Sequence, residues 1–271
     1  MIEEKALAKL NLSLGVLYKR VDGYHAIDSV MQTVSLFDTL IIEKAHKVEV
    51  NVSGMTLPAD NTMYRAAAAY KKLTGCGCII RCQKRIPAES GLGGGSADAA
   101  AVLRGLQKLH RMLDDRKLYE VALSIGADVP FLIRGGTARA EGVGEILTPF
   151  VSKRLDFVIA KPADGVPTKA LYQSLGLPRP HVNTLQVMRA LSLGDKELLF
   201  ANMQNALEDR AIEMVPSIAD IKKRLIECGA QKAMMTGSGS AVFGIFEQEE
   251  TAIKALDMLE SVDFKCACHS M

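Results

Sequence analysis

Three features that would assign this sequence to a special class of protein are missing: a strong net charge, a long apolar run and a cysteine framework. The 33 Lys and Arg residues nearly balance 31 Asp and Glu residues, which leaves a formal net charge of +2. A dedicated nucleic-acid-binding module usually concentrates basic residues, so we expect no nucleic-acid partner. Small anions remain possible ligands, since a local site can be positive on a nearly neutral protein.

Long apolar runs are also absent, and none reaches the length of about 18 residues that a membrane-spanning helix needs. The first 17 residues carry Glu3, Glu4, Lys5 and Lys9 among their apolar residues, which argues against a secretory signal. We therefore expect no membrane association and a cytoplasmic location.

Cysteine is present, but not in the spacing of a metal or disulfide site. The sequence has six cysteines, with two C-x-C pairs, no C-x-x-C repeat and no nearby histidine pair. Free, mostly buried thiols are favoured over a metal site or a disulfide, which fits a reducing cytoplasm. The residues are Cys76, Cys78, Cys82, Cys228, Cys266 and Cys268.

The composition that is present, 48% hydrophobic and 24% charged residues in 271, is that of a soluble globular protein with one large or two ordinary domains. Strand patterns come in groups and do not alternate strictly with helices, which favours an α+β fold. We place the domain boundary so that residues 1–155 and 156–271 each hold strands and helices. No internal repeat, low-complexity tract or charged tail interrupts them.

Periodicity predicts the elements that would carry a site. Alternation over 10–16 predicts a half-buried strand with Lys9 and Asn11 together on its polar face. Further strands are predicted at 29–36, 39–43, 48–52, 79–86, 137–140, 155–160 and 264–268, with a strand, glycine turn and strand over 233–246. Helices are predicted at 61–73, 96–109, 115–124, 168–175 and 249–259, with mainly helical patterns over 184–228.

A glycine-rich loop is the strongest chemical signal. Four of the five residues from Gly91 to Gly95 are glycine, so the backbone can approach a phosphate closely and turn its N–H groups inward. The helix that follows would add its positive N-terminal end. Ser96, at that start, has a hydroxyl that could cap the helix, touch phosphate or hold Mg²⁺. A tight strand–helix turn is the alternative.

Spacing excludes two familiar nucleotide-binding loops. No Gly-Lys-Ser/Thr follows the glycines, so this is not a Walker A loop. The dinucleotide fingerprint G-x-G-x-x-G fails as well, because Ser96 and Asp98 occupy the positions where its third glycine would stand.

Other segments offer weaker signals, each with an ordinary alternative. The turn 236–240 suits a phosphate or substrate contact, and equally a plain hairpin. Lys9 and Asn11 offer a positive charge beside an amide, or simply a solvated polar face. Asp128, flanked by small and apolar residues, suits a catalytic base, or an ordinary Asp before a turn.

Together these segments resemble the GHMP kinase superfamily (galactose, homoserine, mevalonate and phosphomevalonate kinases) over essentially the whole chain. The superfamily has an N-terminal Lys strand, a central glycine loop and a late glycine turn, and this sequence has them in that order. The segments Asp22-Gly23-Tyr24-His25 and Gly126-Ala127-Asp128-Val129-Pro130-Phe131 resemble one branch, whose substrate carries cytidine diphosphate. That branch phosphorylates a hydroxyl of the linked polyol in the non-mevalonate route to isoprenoid precursors.

The resemblance implies a fold, two cofactors and a set of site residues. The fold would be the two-domain α+β architecture, with a ribosomal-protein-like N-terminal and a ferredoxin-like C-terminal domain. With ATP and Mg²⁺ as cofactors, Asp128 would act as the base, Lys9 as its electrostatic partner and Ser96 as a metal contact. The ATP-binding residues would be Pro87, Ala88, Glu89, Ser90, Gly91, Leu92, Gly93, Gly94, Gly95, Ser96 and Ala97.

The resemblance also implies how the substrate, a small cytidine diphosphate compound, would be held. His25 and the Tyr24 ring would read the cytosine, with Tyr172 stacked on its opposite face. Asn11 would contact the phosphate or the polyol hydroxyls, and further contacts are expected from Thr236, Gly237 and Ser238. We expect a monomer or a weak homodimer.

Three positions depart from the family pattern. Glu89 and Ser90 stand where small residues are frequent, and a carboxylate near triphosphate is unfavourable unless it points outward or meets a cation. Ala97 replaces a frequent Ser, which leaves Ser96 as the hydroxyl for Mg²⁺.

Two alternative functions remain open. One is another GHMP kinase, of homoserine or mevalonate type, and the other is a non-catalytic nucleic-acid-binding module on a similar fold.

Overall fold

The computed structural model describes residues 1–176, 182–260 and 262–271. The chain divides into two compact units, each assembled from separate segments of sequence. Unit 1 comprises Met1–Ala8, Leu36–Ala88 and Gly93–Gly135, and unit 2 comprises Lys9–Ser35, Glu89–Leu92 and Gly136–Met271. Two long strands, β1 (Ile2–Lys19) and β2 (His25–Ala45), contribute residues to both.

Unit 1 combines a small group of strands with four helices. The elements are β3 (Glu49–Val52), α1 (Thr62–Thr74), β4 (Gly77–Gln83), α2 (Gly94–His110), α3 (Asp115–Ile125) and α4 (Val129–Arg134). The end of β2 pairs antiparallel with β4, and β3 pairs parallel with the other side of β4.

Helix α2 is the centre of unit 1, and α1, α3 and α4 all pack against it. Its buried face is built largely from alanines, whose small side chains let neighbouring helices approach closely. Helix α1 begins within one residue of its predicted start. The Asn61 side chain accepts a hydrogen bond from the Tyr64 N–H, and Gly75 ends the helix in a left-handed conformation.

Unit 2 contains two groups of strands, built from β5 (Thr137–Gly142), β6 (Ile146–Phe150), β7 (Asp156–Lys161), β8 (Lys232–Met235), β9 (Val242–Phe246) and β10 (Phe264–His269). Four of them form an antiparallel sheet in the order β10-β7-β9-β8. In the other group, the first part of β2 pairs with β5, and β5 pairs with β6. The helices are α5 (Thr168–Gln173), α6 (Thr184–Leu193), α7 (Lys196–Asn202), α8 (Glu208–Met214), α9 (Ser217–Glu227) and α10 (Glu249–Met258).

The core of unit 2 lies on the central strands β7 and β9, which are buried along almost their whole length. Phe157 and Phe243 meet edge to face there, with ring centroids 5.8 Å apart. Strands covered on both faces carry continuous apolar runs, which is why these two were recognisable in the sequence.

Most predicted elements are confirmed within a few residues, and the α+β prediction with them. Two predictions of local structure were wrong, and two elements were not predicted. The strands expected at 29–36 and 39–43 are one strand, β2; α4 and β6 were not predicted; and β1 is buried on both faces over much of its length rather than half-buried. The predicted boundary between residues 155 and 156 stays a prediction.

The cysteines and the membrane prediction can also be compared with the structure. All six cysteines are free thiols, and burial raises the pKa of the Cys78 thiol to about 11. Within the described ranges, no helix is long and apolar enough to cross a bilayer.

Candidate active site

Strand β1 brings Lys9 and Asn11 together inside unit 2. The Lys9 ammonium donates a hydrogen bond of 2.5 Å to Asn11 Oδ1, and Asn11 Nδ2 donates one of 2.8 Å to Ser29 Oγ on β2. Lys9 is 5% and Asn11 2% exposed. The prediction that they share a face is confirmed, whereas the alternative of a solvated polar face is wrong.

The second glycine turn, 236–240, joins β8 to β9 as a hairpin and lies against this pair. The Asn11 N–H donates to Thr236 Oγ1 at 3.0 Å. Gly237 has a φ of 56°, and a Cβ there would lie 3.1 Å from Lys9 Nζ and 3.4 Å from Asn11 Oδ1. Only glycine allows this backbone to approach the Lys9 ammonium so closely. The turn is therefore both a hairpin and part of the Lys9 site.

The segment Glu89–Leu92 of the glycine loop also belongs to unit 2. Its carbonyls accept hydrogen bonds from Ser240 N at 3.3 Å and Ala241 N at 3.1 Å, and Leu92 O accepts one from Lys9 N at 3.0 Å. Gly91 has a φ of 74°, and a Cβ there would collide with the Thr236 carbonyl oxygen. Three segments distant in sequence thus meet around Lys9: β1, the glycine loop and the second glycine turn.

Glu89, the unusual residue of the loop, has a positive φ of 51°. Its side chain is exposed and lies across Gly165, where a Cβ would come within 3.0 Å of Glu89 Cβ. The carboxylate therefore lies beside Gly165.

The remainder of the loop, Pro87, Ala88 and Gly93–Ala97, belongs to unit 1 and leads into α2. Gly93, with a φ of 74°, is the N-cap of α2, and no side chain within the described ranges caps this helix. Ser96 lies in the first turn, so of the three roles open to its hydroxyl, capping the helix is excluded, and contact with phosphate or Mg²⁺ stays a prediction. The first N–H groups of an α-helix lack carbonyl partners within the helix and can bind an anion, and the helix end favours negative charge.

A buried cluster beneath this helix start was not predicted. The Lys84 ammonium lies 2.5 Å from Asp38 Oδ2 and 2.6 Å from Asp98 Oδ2, and a Cβ on Gly94 would lie 3.7 Å from it. Asp38 also accepts a hydrogen bond of 2.8 Å from Ile86 N. The cluster ties β2 and the segment that follows β4 to the N-terminal part of α2.

Protonation in this cluster is unusual. Burial, opposed by Lys84 and aided by Asp38, raises the pKa of the Asp98 carboxyl to about 7. Burial acts against the charge of Lys84, but the two carboxylates outweigh it and raise its pKa. The sequence features that could have indicated this cluster are Lys84, shortly before Pro87, and Asp98, one helical turn after Gly94.

Asp128 lies in unit 1, at the N-cap position of α4. Its carboxylate does not cap that helix, and Pro130 in the first turn removes one N–H that would need a partner. The side chain is half-buried. The predicted partnership between Asp128 and Lys9, which belongs to unit 2, stays a prediction.

The aromatic residues differ in how they are placed. The His25 and Tyr172 rings are neighbours in unit 2, with centroids 5.2 Å apart and planes tilted by 30°, and α5 carries Tyr172. Burial, followed by the charge of Lys19, lowers the pKa of His25. Tyr24 is 67% exposed, and its N–H donates to Asp22 Oδ1 at 3.1 Å. Ser238 Oγ is hydrogen-bonded to Thr168 Oγ1 at 2.7 Å, at the start of α5.

Comparison with known proteins identifies the family of this chain. The model of the GHMP kinase N-terminal domain matches residues 61–136, and that of the GHMP kinase C-terminal domain matches residues 187–263. The chain belongs to the GHMP kinases. The resemblance inferred from its motifs is thereby confirmed, together with the two-domain kinase architecture.

Similar GHMP kinases cover almost the whole chain. The 4-diphosphocytidyl-2-C-methyl-D-erythritol kinase of Caldicellulosiruptor saccharolyticus is 43% identical over 94% of this chain and 92% of its own. The enzyme of the same name from Alkaliphilus metalliredigens is 41% identical, over 95% and 92%.

Solved structures agree on the fold of this GHMP kinase. A crystal structure of 4-(cytidine 5'-diphospho)-2C-methyl-D-erythritol kinase matches with a TM-score of 0.87 and 34% identity, covering 99% of both chains. A homoserine kinase from Cytophaga hutchinsonii matches with a TM-score of 0.75 at 20% identity, over 100% and 94%, and so shares the fold.

Proposed function

We propose that this protein transfers the γ-phosphoryl group of ATP to a hydroxyl group of 4-diphosphocytidyl-2-C-methyl-D-erythritol, in the non-mevalonate route to isoprenoid precursors. The observation that carries the proposal is the meeting of β1, the glycine loop and the second glycine turn around the Lys9 ammonium. Relatives of that name, at 43% and 41% identity over nearly the whole chain, support this choice of substrate.

ATP would be held by the glycine loop, residues 87–97. The uncapped first turn of α2 offers N–H donors and the positive end of the helix to the phosphates. Mg²⁺, which neutralises phosphate charge when bound, would be contacted by the Ser96 hydroxyl. An oxygen donor suits this ion, which usually keeps waters and phosphate oxygens and takes only one or two protein ligands.

Proton removal is assigned to Asp128. An alcohol that attacks phosphorus must lose its proton, and a positioned carboxylate accepts it with a gain of about 10²–10⁴ in rate. Lys9 would stabilise the ionised carboxylate and the negative charge on the group in transfer. The close Lys9–Asn11 hydrogen bond keeps the ammonium in one orientation for this task.

The cytidine end would be recognised by Tyr24, His25 and Tyr172. The His25 and Tyr172 rings lie next to each other and would present an aromatic surface to the base. Stacking of a base on such a surface contributes about 1–3 kcal/mol, by analogy with single-strand binding. The polyol and phosphate end would contact Asn11, Thr236, Gly237 and Ser238, which lie next to Lys9 or on the adjoining turn.

The remaining features of the proposal concern the molecule as a whole. Residues 1–155 would supply the glycine loop and the catalytic residues, and residues 156–271 would add substrate contacts. We expect a cytoplasmic enzyme, monomeric or weakly dimeric, whose partner is a small cytidine diphosphate compound and not a nucleic acid. A net charge of +2 supports this last point.

The test is ADP release measured with a panel of acceptors: the cytidyl compound, homoserine and mevalonate. We expect turnover with the cytidyl compound alone. Asp128→Asn should lower kcat by about 10²–10⁴-fold because the base is lost, while Asp257→Asn, on the exposed side of α10, should match the wild type. Phosphorylation of homoserine but not of the cytidyl compound would reverse the assignment, and full activity of Asp128→Asn would remove Asp128 from it.

A further inference from the structure

The second glycine turn is held from behind by a short segment, residues 204–208, for which neither the motifs nor the family resemblance predicted a role. We propose that Asn205 in this segment is a positioning residue, which fixes the Gly237 backbone against Lys9. The inference rests on the proposed function, since it assigns Asn205 a part in the same reaction. We call residues 204–208 the Asn205 brace.

The brace is attached to the strand that carries the site. Leu14 N donates to Gln204 O at 2.9 Å, and Ala206 N donates to Leu14 O at 2.8 Å, so the segment pairs with β1 three residues beyond Asn11. Because Lys9 and Asn11 lie on the same strand, the brace and the site share one rigid support.

Asn205 then connects this support to the turn. Its Nδ2 donates to Met235 O at 2.9 Å and to Gly237 O at 2.8 Å, and its Oδ1 accepts from Leu207 N at 3.0 Å. The residue is only 8% exposed. Both amide hydrogens and the amide oxygen are therefore engaged, which leaves the side chain one orientation.

Glu208 supplies a second anchor from the same segment. Its Oε1 accepts a hydrogen bond of 2.6 Å from Met235 N, and its Oε2 one of 2.6 Å from Lys222 Nζ. Both the N–H and the C=O of Met235, the last residue of β8, are thus bonded to the brace. The strand end from which the turn begins cannot shift without breaking them.

Gly237, whose carbonyl Asn205 holds, is the residue of the turn that lies against Lys9. Gly237 contributes its carbonyl to Asn205, while its Cα faces the glycine loop and Lys9: a Cβ there would lie 2.9 Å from Gly91 O and 3.1 Å from Lys9 Nζ. Asn11 N holds the preceding residue through Thr236 Oγ1. The turn is fastened on both sides, so a displaced Gly237 would change the space around the ammonium.

The isosteric variant Asn205→Asp tests whether Asn205 fixes the Gly237 backbone. It keeps the acceptor for Leu207 N but turns a carboxylate oxygen toward two carbonyl oxygens, which repel it in a buried site. We expect kcat with the cytidyl substrate to fall about 10- to 100-fold, as misplacement of a site by about 1 Å does. Hydrogen–deuterium exchange should accelerate in a peptide spanning 233–242 and stay unchanged in β7 and β10.

The matched control is Asn202→Asp, which removes a comparable donor, Asn202 Nδ2 to Leu198 O at 2.8 Å, in helix α7. It should leave kcat and exchange in 233–242 at the wild-type level. If Asn205→Asp does not fold, Glu208→Leu, which removes the acceptor of Met235 N, should give the same local acceleration and the same loss.

Two results would overturn the inference: wild-type kcat in Asn205→Asp, or a loss of kcat accompanied by faster exchange throughout the sheet β10-β7-β9-β8, which would mean a general loss of stability. A wild-type protein inactive toward the cytidyl compound would instead refute the proposed function. The exchange measurement needs no substrate, so it would still decide whether Asn205 holds the turn.

Discussion

Lys84 illustrates how single residues shape unit 1, because its ammonium lies between the carboxylates of Asp38 and Asp98. The remaining oxygen, Asp98 Oδ1, is buried and accepts no hydrogen bond within the described ranges. An unsolvated carboxylate oxygen opposes ionisation, and the pKa of Asp98 accordingly rises to about 7. A carboxyl beside the start of α2 therefore titrates near neutral pH.

This titration predicts a dependence of stability on pH. Unfolded Asp98 loses its proton near 3.8, whereas the folded protein keeps it until about pH 7. Between these values the folded state binds more protons, so the free energy of unfolding should decline as pH rises. Asp98→Asn lacks this decline, so its stability relative to the wild type should increase with pH, by up to about 1.4 kcal/mol per pH unit.

Urea unfolding of the wild type and of Asp98→Asn between pH 4.5 and 7.5 measures the difference in their free energies of unfolding. The exposed variant Asp257→Asn serves as the control, and its curve should run parallel to that of the wild type across the range. Parallel curves for Asp98→Asn as well would show that Asp98 ionises in the folded protein at its ordinary pKa.

At the scale of elements, strand β2 shows where local sequence is a poor guide. The pattern predicted two strands, 29–36 and 39–43, with Asp38 in the gap between them. The strand continues through Asp38 because Lys84 and two backbone N–H groups, those of Arg85 and Ile86, satisfy the buried carboxylate. Those partners lie more than 40 residues away, beyond the reach of any local pattern.

Helix α4, which begins just after Asp128, depends on contacts from α2. The Arg104 guanidinium donates to Leu132 O at 2.7 Å, to Lys5 O at 2.7 Å and to Glu4 Oε2 at 3.2 Å. It therefore joins α2, β1 and α4 within unit 1. The helices were partly predictable from apolar spacing, but this cross-connection was not.

Arg104→Lys should destabilise the protein by about 1–3 kcal/mol. Lysine keeps the charge but lacks the planar fork that reaches two carbonyls and a carboxylate at once. Urea unfolding is the measurement, and Arg116→Lys, an exposed change on α3, should stay within about 0.5 kcal/mol of the wild type. Equal stability of the two variants would show that the Arg104 contacts add nothing.

At the scale of the whole molecule, ligand binding and stability are linked. A ligand that binds only the folded chain stabilises it by about 2.7 kcal/mol at a concentration 100 times its Kd. A non-hydrolysable ATP analogue with Mg²⁺ should therefore raise Tm, and the cytidyl substrate should raise it further. Asp128→Asn should keep the shift, since the base acts after binding.

Thermal unfolding with and without the ligands provides this measurement, with a short RNA as the control. RNA should leave Tm unchanged, as the weak net charge indicates. A Tm that responds to RNA and not to the ATP analogue would favour the nucleic-acid-binding alternative.

The sequence alone indicated the family, the order of the glycine segments and most helices and strands, because these depend on local spacing and on the combination of motifs along the chain. The tertiary structure decided that Lys9 and Asn11 are buried, that Gly237 lies against Lys9, and that Lys84 joins two carboxylates. Each of these depends on hydrogen bonds or close contacts between residues far apart in the chain. Whether a polar residue belongs to a solvated face or to a buried site depends on its burial, and only the folded chain determines burial.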